Sequence, residues 1–415
     1  MTILGLRRFF RRRLRPRRSQ ISDVRLMYIG THPKMVRTLF RGQLKYMAER
    51  GFDVVLVLPP GPDLLEDAAL EGVRVIPIPI ERGISLGRDL RTLASLIRVM
   101  ITESPDIVNA GAPKGGLLGM LAAFTTGVPV RIYLLRGLRM ETVSGLKRHV
   151  LTLTERISSG CAHRVIAISA SLRDIYVTLG LAPSEKIDLL GAGSSNGLML
   201  SRFLRTEACM AHAEALRTDL ALGPGPVLGF VGRVTRDKGG EELVQVFERV
   251  CQSHPNVSLV IVGMLEEGDA VPPHVKDTIR NHPRIVLTGF TNTPEHYYPM
   301  FDVLLFPTHR EGFGNVALEA SACRVPVVAF DVTGARDSVA HNVTGTLVPF
   351  PDVTAFTNAV CTYLDDPELC ENHGRRGQQR VIEDFDQHQL WERWWTKYRR
   401  LLRDRGVIDL LGAEV

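Results

Sequence analysis

Residues 303–319 read VLLFPTHREGFGNVALE, and this stretch decides the fold. Its first four residues form a short apolar run typical of a buried strand in a parallel sheet, and residues 315–322 have the pattern of a helix. Gly312 and Gly314 therefore lie in the turn from strand to helix, where open α/β sheets bind ligands. The free backbone N–H groups of a helix N-terminus favour a phosphate, and glycines let a ligand approach the main chain. The stretch predicts a phosphate site on an α/β sheet.

The same stretch carries two glutamates, Glu311 and Glu319, eight positions apart. Because carboxylates repel a phosphate, these side chains need other partners on the ligand, and hydroxyl groups are suitable. A molecule that combines phosphates with many hydroxyls is a nucleotide sugar. Either glutamate alone would be interpreted as a solvated surface charge. Together with both glycines, the pair predicts a nucleotide-sugar site.

Apolar strands alternate with helical stretches along the chain, in two successive series. The first series begins near residue 24 and the second near residue 227, after a mixed segment that ends in Gly-Pro-Gly-Pro. Alternation of this kind is typical of parallel sheets covered on both faces. We therefore predict an α/β protein with two Rossmann-like domains that face each other across a cleft. The predicted segments are a basic arm (1–20), a first domain (21–197), a second domain (198–385) and a helical segment that returns to the first domain (386–415).

A second loop carries two cations. The strand at residues 227–231 leads into GRVTRDKGG at residues 232–240, which contains Arg233 and Lys238. Arginine offers a planar fork for phosphate oxygens, and lysine a compact charge. Rossmann geometry places this loop and the glycine turn at the same edge of one sheet, so we expect them to hold one diphosphate from two sides. Taken alone, a basic turn is more often solvated.

The net charge of +6 is concentrated at the N-terminus. Without the first twenty residues the chain is nearly neutral. Apolar side chains are interleaved with the arginines of this arm, which predicts binding to an anionic membrane at about 1 kcal/mol per basic residue. The alternatives are an arm without a ligand and a nucleic-acid-binding arm; no recognised nucleic-acid-binding module accompanies it, so we predict no nucleic-acid partner. The arginines concerned are those at positions 7, 8, 11, 12, 13, 15, 17 and 18.

Cysteine and histidine spacing gives no sign of a metal site. The six cysteines form no CxxC pair, and the twelve histidines show no ligand spacing. We expect reduced thiols in a cytoplasmic protein, with no metal and no cofactor. The longest uncharged stretch, residues 115–130, is too short to span a bilayer and predicts a core helix. The expected location is the inner face of the cytoplasmic membrane, on its surface.

These motifs resemble the retaining glycosyltransferases of family 4, which have the GT-B fold. Three stretches in the first half of the chain, residues 112–123, 131–142 and 145–148, are similar to bacterial enzymes that add sugars to polyprenyl-diphosphate-linked intermediates of capsule, O-antigen and glycoprotein oligosaccharides. The second-half motifs are the loop at 232–239, the Glu311-x7-Glu319 spacing, KIDLLGAGSSNG at 186–197 and PVVAF at 326–330. The first-half pieces are APKGGLLGMLAA at 112–123, RIYLLRGLRMET at 131–142 and GLKR at 145–148.

The resemblance implies a role for each motif residue. Arg233 and Lys238 would neutralise the diphosphate of the donor, Glu311 would bind hydroxyls of the transferred sugar, and Glu319 would hold the ribose hydroxyls. The reaction would transfer a sugar, with retention, from a nucleotide sugar (expected to be UDP-linked) to a lipid-linked or other saccharide acceptor, without a metal. Backbone groups of the glycine turn would bind the phosphates or the sugar: Gly312, Phe313, Gly314 and Asn315.

The chain departs from the family in two features, the glycine pair that is missing after the first strand and, more seriously, a missing histidine. Relatives often carry a histidine near the transferred sugar, after the fourth or fifth strand, whereas this chain has Asn109-Ala-Gly111 and Leu135-Arg136-Gly137 there. Arg136 is therefore the candidate to contact the donor in place of the histidine. Two alternatives stay open. One is a sugar-nucleotide epimerase of the same fold, which would need an acid/base set that the sequence does not show. The other is a nucleotide-sugar-binding protein, which would result if loss of the histidine had ended catalysis.

Overall fold

The computed structural model describes residues 18, 20–81, 83, 85–111 and 113–408. Contacts divide the chain into two compact units: the described residues up to Gly191 together with those from His388, and residues Ala192–Gln387. The arginines of the predicted arm, apart from Arg18, lie outside the described residues. The sequence-based domain limits after residues 197 and 385 stay predictions.

In its described part, the first unit has a parallel sheet of seven strands in the order β3-β2-β1-β4-β5-β6-β7. The central strands are buried along almost their whole length, as expected for a sheet covered on both faces. The order reverses between β1 and β4, so the topological switch point of this sheet lies there. The strands are β1 (Arg25–Ile29), β2 (Asp53–Leu58), β3 (Arg74–Pro77), β4 (Ile107–Gly111), β5 (Val130–Leu135), β6 (Arg164–Ala167) and β7 (Ile187–Leu189).

Helices connect these strands and cover the sheet. The uncharged stretch 115–130 lies mainly in α5, a largely buried helix that packs against α4 and α6. No described helix combines the length and the apolar character that crossing a bilayer requires. The helices are α1 (Met35–Leu39), α2 (Gln43–Glu49), α3 (Leu64–Leu70), α4 (Leu86–Glu103), α5 (Pro113–Thr125), α6 (Gly145–Cys161) and α7 (Ala170–Thr178).

The second unit repeats this architecture with six parallel strands among its described residues, in the order β10-β9-β8-β11-β12-β13. Its switch point lies between β8 and β11. The core between sheet and helices contains Phe247, Phe330 and Phe356, which are fully buried. The strands are β8 (Val227–Val231), β9 (Ser258–Val262), β10 (Ile285–Leu287), β11 (Val303–Phe306), β12 (Val327–Phe330) and β13 (Gly345–Val348).

The helices of the second unit include one that begins at Asn315, the position expected from the sequence. They are α8 (Leu200–Phe203), α9 (Glu207–Asp219), α10 (Gly240–Ser253), α11 (Pro273–Asn281), α12 (Asn315–Ala322), α13 (Ala335–Ser338), α14 (Val353–Asp365) and α15 (Pro367–Asp384). The two parallel-sheet units confirm the predicted α/β class with two Rossmann-like halves.

The last helix, α16 (Gln387–Asp404), packs into the first unit. Its buried residues Trp391, Trp394, Tyr398 and Leu402 recur every three or four positions and so share one face. The Tyr398 hydroxyl accepts a hydrogen bond from Asn109 Nδ2 (2.7 Å) and donates one to the Tyr28 hydroxyl (3.0 Å). Asn109, at one of the positions where a histidine was expected, is therefore a buried structural residue.

Candidate active site

Two loops meet at the switch point of the second sheet. The cationic loop (residues 232–239) follows β8, and the glutamate loop (residues 307–314) follows β11, its parallel neighbour. Helices α10 and α12 begin directly after these loops. The two helix N-termini, with their free N–H groups and partial positive charge, therefore lie at one edge of the sheet.

The glutamate loop requires a glycine at its end. Gly314 precedes α12 and has a φ of 92°, in the left-handed region. A Cβ atom at this position would lie 2.8 Å from the Phe306 ring and 3.0 Å from Ser338 Oγ. Any other residue would be strained and would push these neighbours away, so the conformation of the turn depends on Gly314.

Hydrogen bonds connect the two loops through Asp237. Its carbonyl oxygen accepts from the backbone N–H of His309 (3.0 Å), and its carboxylate accepts from Arg310 Nη2 (2.7 Å). His309 Nε2 lies 2.9 Å from Glu242 Oε1, in the first turn of α10. The sequence interpretation assigned no role to Asp237, His309 or Arg310. The sequence pattern that could have indicated these three residues is that polar side chains follow both strands at the switch point.

Lys238 and Glu311 form an ion pair between the loops. Lys238 Nζ donates a hydrogen bond to Glu311 Oε1, and both side chains are half-buried. The backbone N–H of Glu311 donates to Thr333 O (3.0 Å). Gly334 allows this approach, since a Cβ there would lie 2.6 Å from the Glu311 carbonyl oxygen. The structure thus brings Lys238, the residue predicted to bind the phosphate, into direct contact with Glu311, the residue predicted to bind the sugar.

Glu319 lies in the second turn of α12 and accepts a hydrogen bond from the Tyr298 hydroxyl at 2.5 Å. Burial raises the pKa of Glu319, while the Tyr298 hydrogen bond and the Arg202 charge oppose the increase. Tyr298 is fully buried, and Arg202 is held by Glu295 at 2.6 Å. The orientation of the Glu319 carboxylate is therefore fixed by the surrounding protein.

Arg233 lies in the cationic loop but pairs outside it. Its Nη1 atom is 2.6 Å from Glu266 Oε2, and its side chain is 57% exposed. The bond from Val234 N to Met264 O (2.8 Å) joins this part of the loop to the segment after β9. Arg233 therefore lies at the same sheet edge as Lys238, with a different carboxylate partner.

The remaining residues of the glycine turn have contrasting environments. Phe313 is buried, with its ring centroid 5.4 Å from that of Phe385. Asn315 begins α12, and its Oδ1 atom is buried without a hydrogen-bond partner among the described residues. A buried amide oxygen without a hydrogen-bond partner is uncommon in a protein interior. Within the described part of the chain, no group of three or more His, Cys, Asp or Glu side chains is arranged to hold a metal ion.

Arg136 belongs to the first unit, directly after β5. Its guanidinium carbon lies 5.3 Å from the centroid of the Phe40 ring, a distance typical of a cation–π contact. Burial lowers the pKa of Arg136 to about 10, while Tyr28 and Tyr398 oppose the decrease. The side chain therefore stays charged at neutral pH. In α1, the helix after β1, Arg37 pairs with the buried Asp67 at 2.5 Å.

Comparisons with known proteins agree with this architecture. Residues 36–193 match the family model for the glycosyl transferase 4-like domain, and residues 214–380 match the model for glycosyl transferases group 1. The capsular polysaccharide biosynthesis glycosyltransferase CapM of Staphylococcus aureus is 38% identical over 385 residues, which cover 92% of this chain and 99% of that protein. The chain belongs to the glycosyltransferases. The family predicted from the loop motifs is thus confirmed, and the protein is an enzyme of that class.

Other relatives of this glycosyltransferase are more distant. The UDP-Gal:alpha-D-GlcNAc-diphosphoundecaprenol alpha-1,3-galactosyltransferase of Escherichia coli is 24% identical over 365 residues, which cover 85% of the present chain and 91% of the Escherichia coli protein. The crystal structure of HepE from Anabaena in complex with UDP matches with a TM-score of 0.75 at 19% identity, covering 91% and 99% of the two chains. At this identity the likeness shows the fold, and the glycosyltransferase has the predicted GT-B fold.

Proposed function

We propose that this glycosyltransferase transfers a sugar, with retention, from a UDP-sugar to a polyprenyl-diphosphate-linked saccharide during the synthesis of a cell-surface polysaccharide or glycan. The observation that carries the proposal is the Lys238–Glu311 pair at the switch point of the second sheet, between two helix N-termini. The names of the relatives support it, since one acts in capsule biosynthesis and another on a diphosphoundecaprenol-linked sugar. HepE has been solved with both UDP and UDP-glucose.

The donor diphosphate would bind against Lys238, Arg233 and the N-termini of α10 and α12. As the bond from the sugar C1 to the diphosphate oxygen breaks, negative charge grows on the leaving group. Lysine, arginine and the helix dipoles stabilise that charge, and loss of one such contact typically costs about 2.7–4 kcal/mol in the barrier. Because protein cations supply this stabilisation, the proposed reaction needs no metal.

The sugar would be positioned by Glu311, which accepts hydrogen bonds from hydroxyls, and by backbone groups of the turn from Gly312 to Asn315. Glu319, oriented by Tyr298, would hold the ribose. The acceptor hydroxyl would attack C1 from the face that the diphosphate leaves and pass its proton to the departing diphosphate oxygen, which retains the configuration at C1 without a protein nucleophile. Arg136 is the proposed donor contact from the first unit, in place of the family histidine.

The reaction would take place at the inner face of the cytoplasmic membrane, because the proposed acceptor is anchored there by its polyprenyl chain. The arginine-rich arm would bind anionic lipid headgroups, and this binding would weaken at high salt. The proposal includes no nucleic-acid partner.

The test compares Glu311→Gln with the wild-type enzyme. UDP release would be measured with UDP-glucose, UDP-galactose and UDP-GlcNAc, each with and without undecaprenyl-diphosphate-linked GlcNAc. Glu311→Gln keeps the side-chain shape but removes the charge, so we expect kcat to fall by about 10²–10³ with an unchanged melting temperature. Glu267→Gln, at an exposed glutamate of the same unit, is the control and should retain full activity.

Two outcomes would contradict the proposal. Full activity in Glu311→Gln would remove the glutamate from the site. Conversion of the UDP-sugar to its epimer in the absence of acceptor would show the epimerase alternative to be correct.

A further inference from the structure

Helix α6 of the first unit buries polar side chains and exposes several apolar ones. Its fully buried side chains are all polar: Glu155, Ser158 and Ser159. On an ordinary surface helix the apolar stripe faces the core and the polar residues face solvent. In α6 the fully buried residues are polar and the most exposed large residues include Leu146 and Leu153, while Leu151 and Ile157 are half-buried, so the outward face requires an explanation.

The buried polar side is firmly held. Glu155 Oε2 accepts hydrogen bonds from the hydroxyls of Tyr133 (2.8 Å) and Tyr176 (3.2 Å). Ser159 Oγ donates to the carbonyl oxygen of Leu181 at 2.6 Å. Rotating α6 to bury its apolar side would break these bonds and expose two buried tyrosines. The orientation of the helix is therefore specified by the core.

The outward face of α6 is an apolar stripe. Leu146, Val150 and Leu153 are 80%, 40% and 58% exposed, and their spacing of four and three residues places them on one side of the helix. At 3.6 residues per turn, Leu153 and Glu155 point in nearly opposite directions, in agreement with their burial. Clustered exposed apolar residues of this kind mark interaction surfaces.

Basic residues surround this stripe. Lys147 and Arg156 are exposed on the two sides of the stripe, whereas the exposed Arg148, two residues after Leu146, points to the opposite side of the helix. Within α6, all of whose residues the structure describes, Glu155 is the only acidic residue, and it is buried. The outward face is therefore both apolar and positively charged.

We propose that the outward face of α6 is a membrane-docking surface: Leu146, Val150 and Leu153 enter the boundary between headgroups and acyl chains, while Lys147 and Arg156 on its two sides contact anionic lipid phosphates. An anionic bilayer fits better than a second copy of the chain, because two copies of this face would oppose their basic residues across a symmetric interface. The inference rests on the proposed function in one respect, since a lipid-linked acceptor requires the enzyme to work at a membrane. It assigns the docking to a folded surface in addition to the N-terminal arm.

The experiment uses the full chain, with its arm, in every variant. Cosedimentation would be measured with vesicles of phosphatidylcholine alone and with vesicles containing 30% phosphatidylglycerol. We expect the double variant Leu146→Glu/Leu153→Glu to bind the anionic vesicles at least tenfold more weakly than the wild type. The matched control is Leu65→Glu, since Leu65 is a comparably exposed leucine on α3 of the same unit and should be neutral to binding.

A second variant tests the contribution of the basic residues to the docking surface. Lys147→Gln/Arg156→Gln should weaken binding to the anionic vesicles several-fold and leave the weaker binding to neutral vesicles unchanged. The melting temperature and the Kd for UDP should stay at wild-type values in all variants, because none of these residues belongs to the donor site.

Three results would overturn the docking surface. The first is unchanged vesicle binding in the double leucine variant, and the second is an equal loss in Leu65→Glu. The third is a wild-type dimer that the leucine variant converts to a monomer, which would make this face a self-association interface. Failure of UDP binding in the wild type would instead contradict the proposed function, so the two failures are distinguishable.

Discussion

At the scale of single residues, the site depends on a few positions whose neighbours leave no choice of side chain. Gly314 has a left-handed backbone and contacts Phe306 and Ser338 closely. Glu311 is fixed by its backbone bond to Thr333 and by its ion pair with Lys238. Gly314 therefore fixes the direction in which the N–H groups of α12 point, on which the proposed binding of a diphosphate depends.

We expect Gly314→Ala to weaken donor binding. A left-handed backbone costs an ordinary residue roughly 1–2 kcal/mol, and the added Cβ would clash with the Phe306 ring. Titration with UDP should show a Kd at least tenfold higher than in the wild type. Gly223→Ala, where an added Cβ meets no atom within 4 Å, should bind UDP normally. Equal UDP affinity in both variants would show that the turn tolerates a side chain.

The buried Glu155 should make stability depend on pH. Burial raises the pKa of Glu155 from its ordinary value of 4.5 to about 7, although the Tyr133 and Tyr176 hydrogen bonds oppose the increase. Because the folded pKa is raised, the unfolded state loses its proton first as pH rises. The contribution of Glu155 to stability is therefore fully present below pH 4.5 and is lost as pH rises to about 7.

Denaturant unfolding at pH 5 and pH 8 measures this effect. From pH 5 to pH 8, the free energy of unfolding should fall by up to about 3 kcal/mol more in the wild type than in Glu155→Gln. The reason is that glutamine accepts the same hydrogen bonds without titrating. The same pH dependence in the two proteins would mean that Glu155 keeps an ordinary pKa.

At the scale of elements, the site arises because two loops from adjacent strands are joined before any ligand is considered. Asp237 accepts hydrogen bonds from both His309 and Arg310, so the cationic loop and the glutamate loop keep a fixed separation. Such preorganisation lowers the cost of ordering the loops around a diphosphate.

A double-mutant cycle on Asp237→Asn and Arg310→Gln should detect this connection. We expect each single variant to weaken UDP binding and the double variant to weaken it by less than the sum, with a coupling of about 0.5–3 kcal/mol. Asp277→Asn, at an exposed position on α11, should leave the UDP affinity unchanged. Additive effects of the two substitutions would show that the loops act independently.

At the scale of the whole molecule, the chain builds one α/β unit, then a second, and returns to the first with α16. The donor-site candidates other than Arg136 all lie in the second unit. The aromatic face of α16 completes the core of the first unit, where Tyr398 is bonded to Asn109 of β4 and Tyr28 of β1.

A chain that ends at Gln387 should therefore lose the stability of its first unit while it keeps UDP binding. Without Trp391, Trp394, Tyr398 and Leu402, buried apolar surface is exposed and the amide of Asn109 loses its partner. Hydrogen exchange should show loss of protection in β1 and β4, and a UDP titration should give the Kd of the full chain. Unchanged protection of these strands would show that α16 is dispensable for the first unit.

The sequence by itself determined the α/β class, the repetition of the pattern, the start of α12 and the family, because apolar runs, glycine turns and charged loops are local in the chain. The short edge strands β7 and β13 were not predicted, since residues 187–189 and 345–348 lack a fully buried apolar run. Only the tertiary structure paired Lys238 with Glu311 and Arg233 with Glu266, because partners 73 and 33 residues apart are chosen by the order of strands in the sheet. The outward stripe of α6 likewise follows from packing, since helical spacing shows which residues share a face, and only the core that surrounds Glu155 decides which face points inward.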